Sequence, residues 1–319
     1  MIKLSHGSGG KEMRQLVKEI RQLFPNTTTW KNLCDDAAST DAQPGKLLFT
    51  TDSYVVSPLF FPGGNIGKIA FCGTFNDLMV MGAKPLGMSL SLVIEEGFPK
   101  EELFAILQTI ADLSKQFNIP IVTGDTKVME KGKLDKLIIN TSAVGFSDRI
   151  IDDPIKPGDE IIVSGPIGEH ASALLCERYG FKSNIISDCK PLQEIGYLIH
   201  MIKQARDITR GGLSTVLNEL AEKNKVSFSI QEEDIPITKE VLSLTNILGI
   251  DPYSLACEGR FLCIAPNNKS GLVLDILLGF NQKAAIIGKV TDGKGVILQT
   301  KYGKRLLPTP EGNIVPRIC

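Results

Sequence analysis

Two hydrophobic periods alternate along the first half of the chain. Residues 46–51 (KLLFTT) form a short apolar run that stops at Asp52. Over residues 66–82, Ile66, Ile69, Ala70, Gly73 and Val80 supply much of a buried helical face, and Asn65 stands where an N-cap belongs. Residues 86–94 read as a strand. Residues 100–117 form an amphipathic helix, with Leu103, Phe104, Leu107, Ile110, Leu113 and Phe117 at helical spacing. A buried strand over 119–122 stops at Thr123-Gly124-Asp125, and 136–146 (KLIINTSAVGF) is another. The turn-rich stretch 152–159 marks a boundary. Beyond it, strands are expected over 160–164, 227–231, 260–265, 284–290 and 295–300, and helices over 195–204 and 212–224. The pattern predicts an α+β or α/β protein of two lobes, 1–152 and 153–304, followed by a tail over 305–319.

Composition changes this picture little. The chain has 319 residues, enough for two cores. Its formal net charge of -1 gives no footprint for nucleic acid or a membrane surface. No apolar run is long enough to span a bilayer, and the N-terminus lacks the blocks of a signal peptide, so a cytoplasmic location is expected. Seven dispersed cysteines without a C-x-x-C pair argue against a disulfide framework or structural zinc. Cys72 and Cys263 lie in apolar stretches and read as small core residues.

The tail is unusual. Pro308, Pro310 and Pro316 each lack a backbone N–H and Gly312 adds freedom, so neither helix nor central strand is expected. From Arg305 the chain reads as an extended arm reaching about 45–50 Å. At its tip is a thiol, Cys319. Such an arm suits a thiol that carries a group between sites; the alternative is a frayed terminus that ends in cysteine by chance.

Carboxylates recur where apolar segments end or inside them: Asp35-Asp36, Asp52, Asp77 after Asn76, and Asp125. Each alone caps a helix or completes a turn. Together, Asp36, Asp52, Asp77 and Asp125 suit Mg²⁺, which takes oxygen ligands and bridges to phosphates. Three glycine-rich stretches offer backbone N–H groups to an anion. They are 6–11 (HGSGGK), 61–65 (FPGGN) and 207–212 (DITRGG), the last with Arg210 and Gly211. None is a P-loop or a dinucleotide fingerprint. Lys127 and Glu258 read, by themselves, as ordinary surface charges.

LSHGSGG (4–10), TDSYVVSPLFFPGGNIGK (51–68), GTFNDLMVMGAKP (73–85), IVTGDTKV (121–128), RDITRGG (206–212) and the terminal PRIC (316–319) together resemble the HypE family of hydrogenase-maturation proteins. That family belongs to the superfamily of aminoimidazole ribonucleotide synthetase and selenophosphate synthetase. The resemblance covers essentially the whole chain, and 51–68 and PRIC are its most specific parts. It implies a two-lobed aminoimidazole ribonucleotide synthetase-like fold, with N-terminal lobes pairing in a homodimer and a flexible tail.

It implies a reaction as well. A carbamoyltransferase, HypF, loads a carboxamide onto Cys319. ATP then drives its dehydration to a thiocyanate, and the cyano group passes to iron on a HypC–HypD complex to become a ligand of the [NiFe]-hydrogenase centre. Asp52, Asn76, Asp77, Gly124, Asp125, Thr126, Arg210 and Gly211 would bind ATP. Lys127 would steady developing charge, and Glu258 would act as base or orient the amide. Two motifs depart from the common pattern: Ala37 follows Asp36 where glycine is frequent, and Arg260 follows Glu258-Gly259 where lysine is. Competing readings are an ATP-using relative acting on a free small substrate, a non-catalytic adaptor that docks through its tail, and a redox sensor using Cys319 and Cys257.

Overall fold

The structure is a computed structural model that describes residues 1–8, 10–33, 37–311, 315, 317 and 318. Cys34, Asp36 and Cys319 lie outside the described residues, so the roles expected of Asp36 and Cys319 are not placed by it. Among the described residues no helix is long and apolar enough to cross a membrane.

The first lobe contains α1 (Lys11–Arg21), β1 (Lys46–Tyr54), the hairpin β2 (Phe60–Phe61) and β3 (Gly64–Asn65), α2 (Ile66–Val80), β4 (Lys84–Glu95), α3 (Lys100–Phe117), β5 (Ile121–Met129) and β6 (Leu137–Ser147). Its sheet has the order β1-β6-β4-β5, with β4 and β5 parallel and the other pairs antiparallel. Burial alternates strictly along β6, so one sheet face is packed and the other open. Helix α2 lies on the packed face and is buried on nearly all sides, as its near-continuous apolar sequence requires.

The second lobe contains β7 (Glu160–Val163), α4 (Glu169–Tyr179), β8 (Gln204–Asp207), α5 (Gly212–Asn224), β9 (Ser227–Gln231), α6 (Lys239–Leu248), β10 (Phe261–Ala265), α7 (Asn267–Phe280), β11 (Ala285–Thr291), β12 (Gly295–Thr300) and β13 (Gly303–Leu306). These strands form a seven-stranded sheet, β13-β12-β9-β11-β7-β10-β8. Residues of α2 and β2 pack with α4 and α6 in one hydrophobic cluster, so the lobes share a core.

Several local expectations fail for tertiary reasons. Residues 195–204 are not a helix: Gln193–Tyr197 makes one 3-10 turn and β8 begins at Gln204. Ile195, Leu198 and Ile202 are buried at helical spacing, but the Lys203 N–H donates to Ile264 O and its carbonyl accepts from Asp153, so pairing with neighbours satisfies that backbone. Strand β1 runs through Asp52 to Tyr54, and β5 runs through Thr123-Gly124-Asp125 to Met129. Both motifs therefore sit within strands, not at their ends. Helices α1, α4, α6 and α7 are additional to the expected elements.

The end of the arm is docked. Val315 and Ile318 are buried in the shared core. The Arg317 carbonyl accepts from Ser57 N–H at 3.1 Å, and the Arg317 guanidinium donates to Val55 O at 3.1 Å and pairs with Asp135.

Candidate active site

The α2 helix delivers Asn76 and Asp77 to the seam between the lobes. Helix caps prefer a side-chain acceptor for the first free N–H groups, and Asn65 Oδ1 accepts from Gly67 N and Lys68 N at 2.9 and 3.2 Å. That cap corrects the expectation of an anion site at FPGGN, because these amide donors already have a partner. Three turns later Asp77 accepts from Thr50 Oγ1 at 2.6 Å. Tyr54 Oη lies 3.3 Å from Asp52 Oδ2 and 3.2 Å from Thr74 Oγ1. Burial, reinforced by the Asp52 charge, holds Tyr54 as a phenol by raising its pKa well above the ordinary value.

Asp52, Asp77, Asp207 and Glu258 form an acidic cluster across the seam. For Asp77, Asp207 and Glu258 burial is the first cause of an upward shift, and repulsion among the carboxylates adds to it. Asp77 is raised by burial and by Asp52, against the Thr50 hydrogen bond and Arg206. Asp207, at the end of β8, is pushed up to about 7 by burial and by Asp77. Glu258 is only 3% exposed. It is driven far above the carboxylate range by burial, then by Cys189, Asp207, Asp188 and Asp52. Its Oε1 is buried without a hydrogen-bond partner. Glu258 is therefore no surface charge. It is a buried acid with an unfilled acceptor position, the kind of group that functional sites retain.

The backbone of Glu258 is clamped. Its N–H donates to Asp188 Oδ1 at 3.2 Å, and its carbonyl accepts from Asn76 Nδ2 at 3.4 Å and from Lys190 N at 3.4 Å. Asn76 also donates to Lys190 O at 3.2 Å and accepts from Leu192 N at 2.8 Å. Asn76 is thus a buried clasp between α2 and the loop over 188–192. Arg260 joins Glu169 at 2.8 Å and lies 3.8 Å from Asp188, which fixes the other side of the Glu258 loop.

Asp125 and Lys127 occupy a different place. In cross-strand register Asp52 pairs with Thr141, Thr141 with Leu90, and Leu90 with Gly124. Asp52 and Gly124 therefore share the packed face with buried Thr126. Asp125 and Lys127 project from the open face, because side chains alternate along a strand. Their side chains are 54% and 60% exposed and pair at 2.9 Å. The Lys127 hydrogen bond lowers the Asp125 pKa. A Cβ on Gly124 would come within 2.2 Å of the Leu90 carbonyl oxygen, so glycine there lets β5 lie close to β4.

Among the described residues no three His, Cys, Asp or Glu side chains converge at metal-binding distance. The expected set Asp52, Asp77 and Asp125 is thus split: Asp52 and Asp77 lie between β1 and α2, and Asp125 faces away. Arg210 is exposed and Gly211 has φ +79° at the N-terminus of α5, a conformation that glycine adopts without strain.

The sequence matches the models of the AIR synthase related proteins, N-terminal domain over residues 34–147 and C-terminal domain over 156–301. It is 39% identical to a carbamoyl dehydratase HypE of Rhizobium leguminosarum bv. viciae, covering 100% of this chain and 95% of that one. The chain belongs to the HypE family of hydrogenase maturation proteins. A solved structure of the family, HypE in complex with ATP, superposes with a TM-score of 0.94 at 35% identity over 100% of both chains. The HypE chain of a HypE–HypF complex superposes with a TM-score of 0.80 at 38% identity, covering 92% of this chain and 99% of that one.

Within this family frame, Asp207 is the acidic residue that the sequence reading passed over as a site candidate. It stands in RDITRGG, and the signal was a carboxylate where a short strand gives way to a glycine-rich helix start. Asp188 was likewise missed. Nothing in SDCKP distinguishes it until the fold brings it to the Glu258 amide.

Proposed function

We propose that the chain is an ATP-dependent carbamoyl dehydratase that converts a thiocarboxamide on Cys319 to a thiocyanate for [NiFe]-hydrogenase maturation. Glu258 carries this reading. It is a buried acid with a free oxygen in a seam of carboxylates, and Ile318, the residue that precedes the thiol, is docked in the shared core.

The chemistry follows from the leaving group. A carboxamide oxygen leaves poorly. Transfer of the ATP γ-phosphoryl to that oxygen lets it depart as phosphate, while both N–H protons leave and the C≡N bond forms. The net change is thiocarboxamide and ATP to thiocyanate, ADP and phosphate. Positioning and charge stabilisation dominate such transfers. In its ionised form Glu258 takes one N–H proton, and Asp207, whose pKa is about 7, is placed to take the other. Lys127 steadies charge on the phosphoryl oxygens. The oxygen-only donors Asp52 and Asp77 suit Mg²⁺ in type, and would hold it together with phosphate oxygens and water. Bound there, Mg²⁺ would neutralise phosphate charge. Asp36 is a further proposed donor, Asp125 would join the set only from the open face of a second copy, and Thr126, Gly124, Arg210 and Gly211 line the nucleotide path.

HypF is the proposed carbamoyl donor and a HypC–HypD complex the acceptor of the cyano group. The flexible arm would travel between them. We assign a homodimer formed over the open sheet face. Leu47 and Phe49 are 62% and 67% exposed there, on the same face as Asp125 and Lys127 but at the opposite edge of the sheet, so a second copy laid across that face would cover apolar groups and bring Lys127 to a neighbouring seam. An exposed apolar face of this kind is buried by a partner.

Intact and C-terminal peptide mass spectrometry tests the reading. The protein is incubated with the carbamoyltransferase and carbamoyl phosphate, then with Mg–ATP. A carboxamide on Cys319 that loses one water only with ATP is the expected result. No adduct on Cys319 despite an active donor would move the function to a free substrate or to an adaptor role.

A further inference from the structure

The last described residues of the arm are held by one helix. His170 and Arg178, both on α4, face successive backbone carbonyls. His170 Nε2 lies 3.0 Å from Ile318 O, and Arg178 Nη2 lies 3.2 Å from Arg317 O. Arg178 also donates to Ser57 O at 2.6 Å, which ties the arm to the first lobe. The Ile318 side chain is 5% exposed and lies in the cluster that contains Ala171 and Leu174 of the same helix.

A carbonyl oxygen only accepts, so His170 Nε2 carries the proton. His170 is fully buried, with the Phe61 ring edge-on at 5.4 Å, and burial lowers its pKa. The ring is then neutral and its Nδ1 is an acceptor. Ser187 Oγ, 2.8 Å away, donates to it and itself accepts from Cys189 N at 3.1 Å. One chain of hydrogen bonds thus runs from the loop beside Glu258, through Ser187 and His170, to the residue before Cys319.

We propose that His170 is the latch of the terminal arm: its Nε2–H···O=C bond to Ile318 holds the arm inward at the residue that precedes Cys319. This rests on the reading that Cys319 carries the reacting group. An arm without secondary structure needs external contacts to fix its register. The Ile318 side chain sets depth, and the two carbonyl contacts set position along the chain. When the arm leaves, the ring N–H loses its protein acceptor in an apolar setting, so arm occupancy and the hydrogen bond are coupled. His170 touches no reacting atom and acts as a positioning residue.

Two measurements on the full-length protein test the latch, neither needing turnover. In ¹⁵N-histidine NMR, the whole chain should show a slowly exchanging Nε2–H for His170, and a chain ending at Arg317 should lose it. An unchanged His170 spectrum after truncation overturns the proposal. In carboxypeptidase digestion followed by intact mass, His170→Ala should release the terminal residues about tenfold faster than wild type. His170→Gln, which restores an N–H donor of similar reach, should stay within about twofold of wild type. Release from His170→Ala at the wild-type rate, or from His170→Gln as fast as from His170→Ala, overturns it. An intact latch in a protein whose Cys319 never takes a carboxamide would defeat the functional reading and leave the latch standing.

Discussion

Asn76 and Glu258 lie on different lobes and are joined directly, Asn76 Nδ2 donating to the Glu258 carbonyl at 3.4 Å. The same amide accepts Leu192 N–H, so one side chain fixes both the proposed base and the loop behind it. Asn76→Ala leaves buried donors and acceptors unpaired. It should cost about 1–3 kcal/mol in urea unfolding and slow dehydration while ATP still binds. Unchanged stability would show that the clasp is not formed in solution.

Glu258→Gln keeps the shape of the seam and removes the proton acceptor. Single-turnover assays on protein already loaded with carboxamide should show a loss of about 10²–10⁴, with ATP affinity by calorimetry within a few-fold of wild type. Wild-type turnover would remove Glu258 from the mechanism.

Asp207 should leave a signature in the pH dependence of stability. Its folded pKa of about 7 stands above the ordinary 3.8. The native state therefore binds more protons than the unfolded chain between those values. The stabilisation is fully present below about pH 4 and is lost as pH rises through about 7. Asp207→Asn removes that penalty, so its urea midpoint should exceed wild type at pH 8 and converge on it near pH 4. Parallel pH profiles for the two proteins would contradict the assignment.

Lys127 and Glu258 extend from opposite sides of one chain, so a centre using both needs two copies. Lys127→Ala and Glu258→Gln, each inactive alone, should recover about a quarter of wild-type activity when co-expressed. One of the two sites in each mixed dimer is then intact. No recovery, with mixed dimers verified by mass, would place both groups in one chain's site.

Gly259 tests the clamp without changing a polar group. A Cβ there would approach Asp188 O to 1.9 Å, and backbone cannot yield as a flexible side chain can. Gly259→Ala should lower the melting temperature and abolish dehydration together. A stable, active variant would show that the Glu258 loop has slack.

The limits of local pattern are visible in particular residues. Lys100–Phe117 was legible because its apolar stripe repeats at the helical period and ends at Asn118 in the left-handed conformation, φ 55°. Residues 195–204 carried the same spacing and did not become a helix, since pairing to Ile264 and Asp153 satisfied the backbone instead. Asp52 and Asp125 looked equivalent in sequence, each following a short apolar run. The register of four strands put them on opposite faces.

The sequence by itself determined the two-lobed α/β character, the cap at Asn65, the family and the carboxylates worth testing, because these follow from local periodicity and linear motifs. Tertiary structure alone decided that Glu258 is buried, that Asp207 and Asp188 join it, and that His170 meets Ile318 across 148 positions. Burial, mutual repulsion and hydrogen bonding between distant segments depend on distances in space, which no linear spacing encodes.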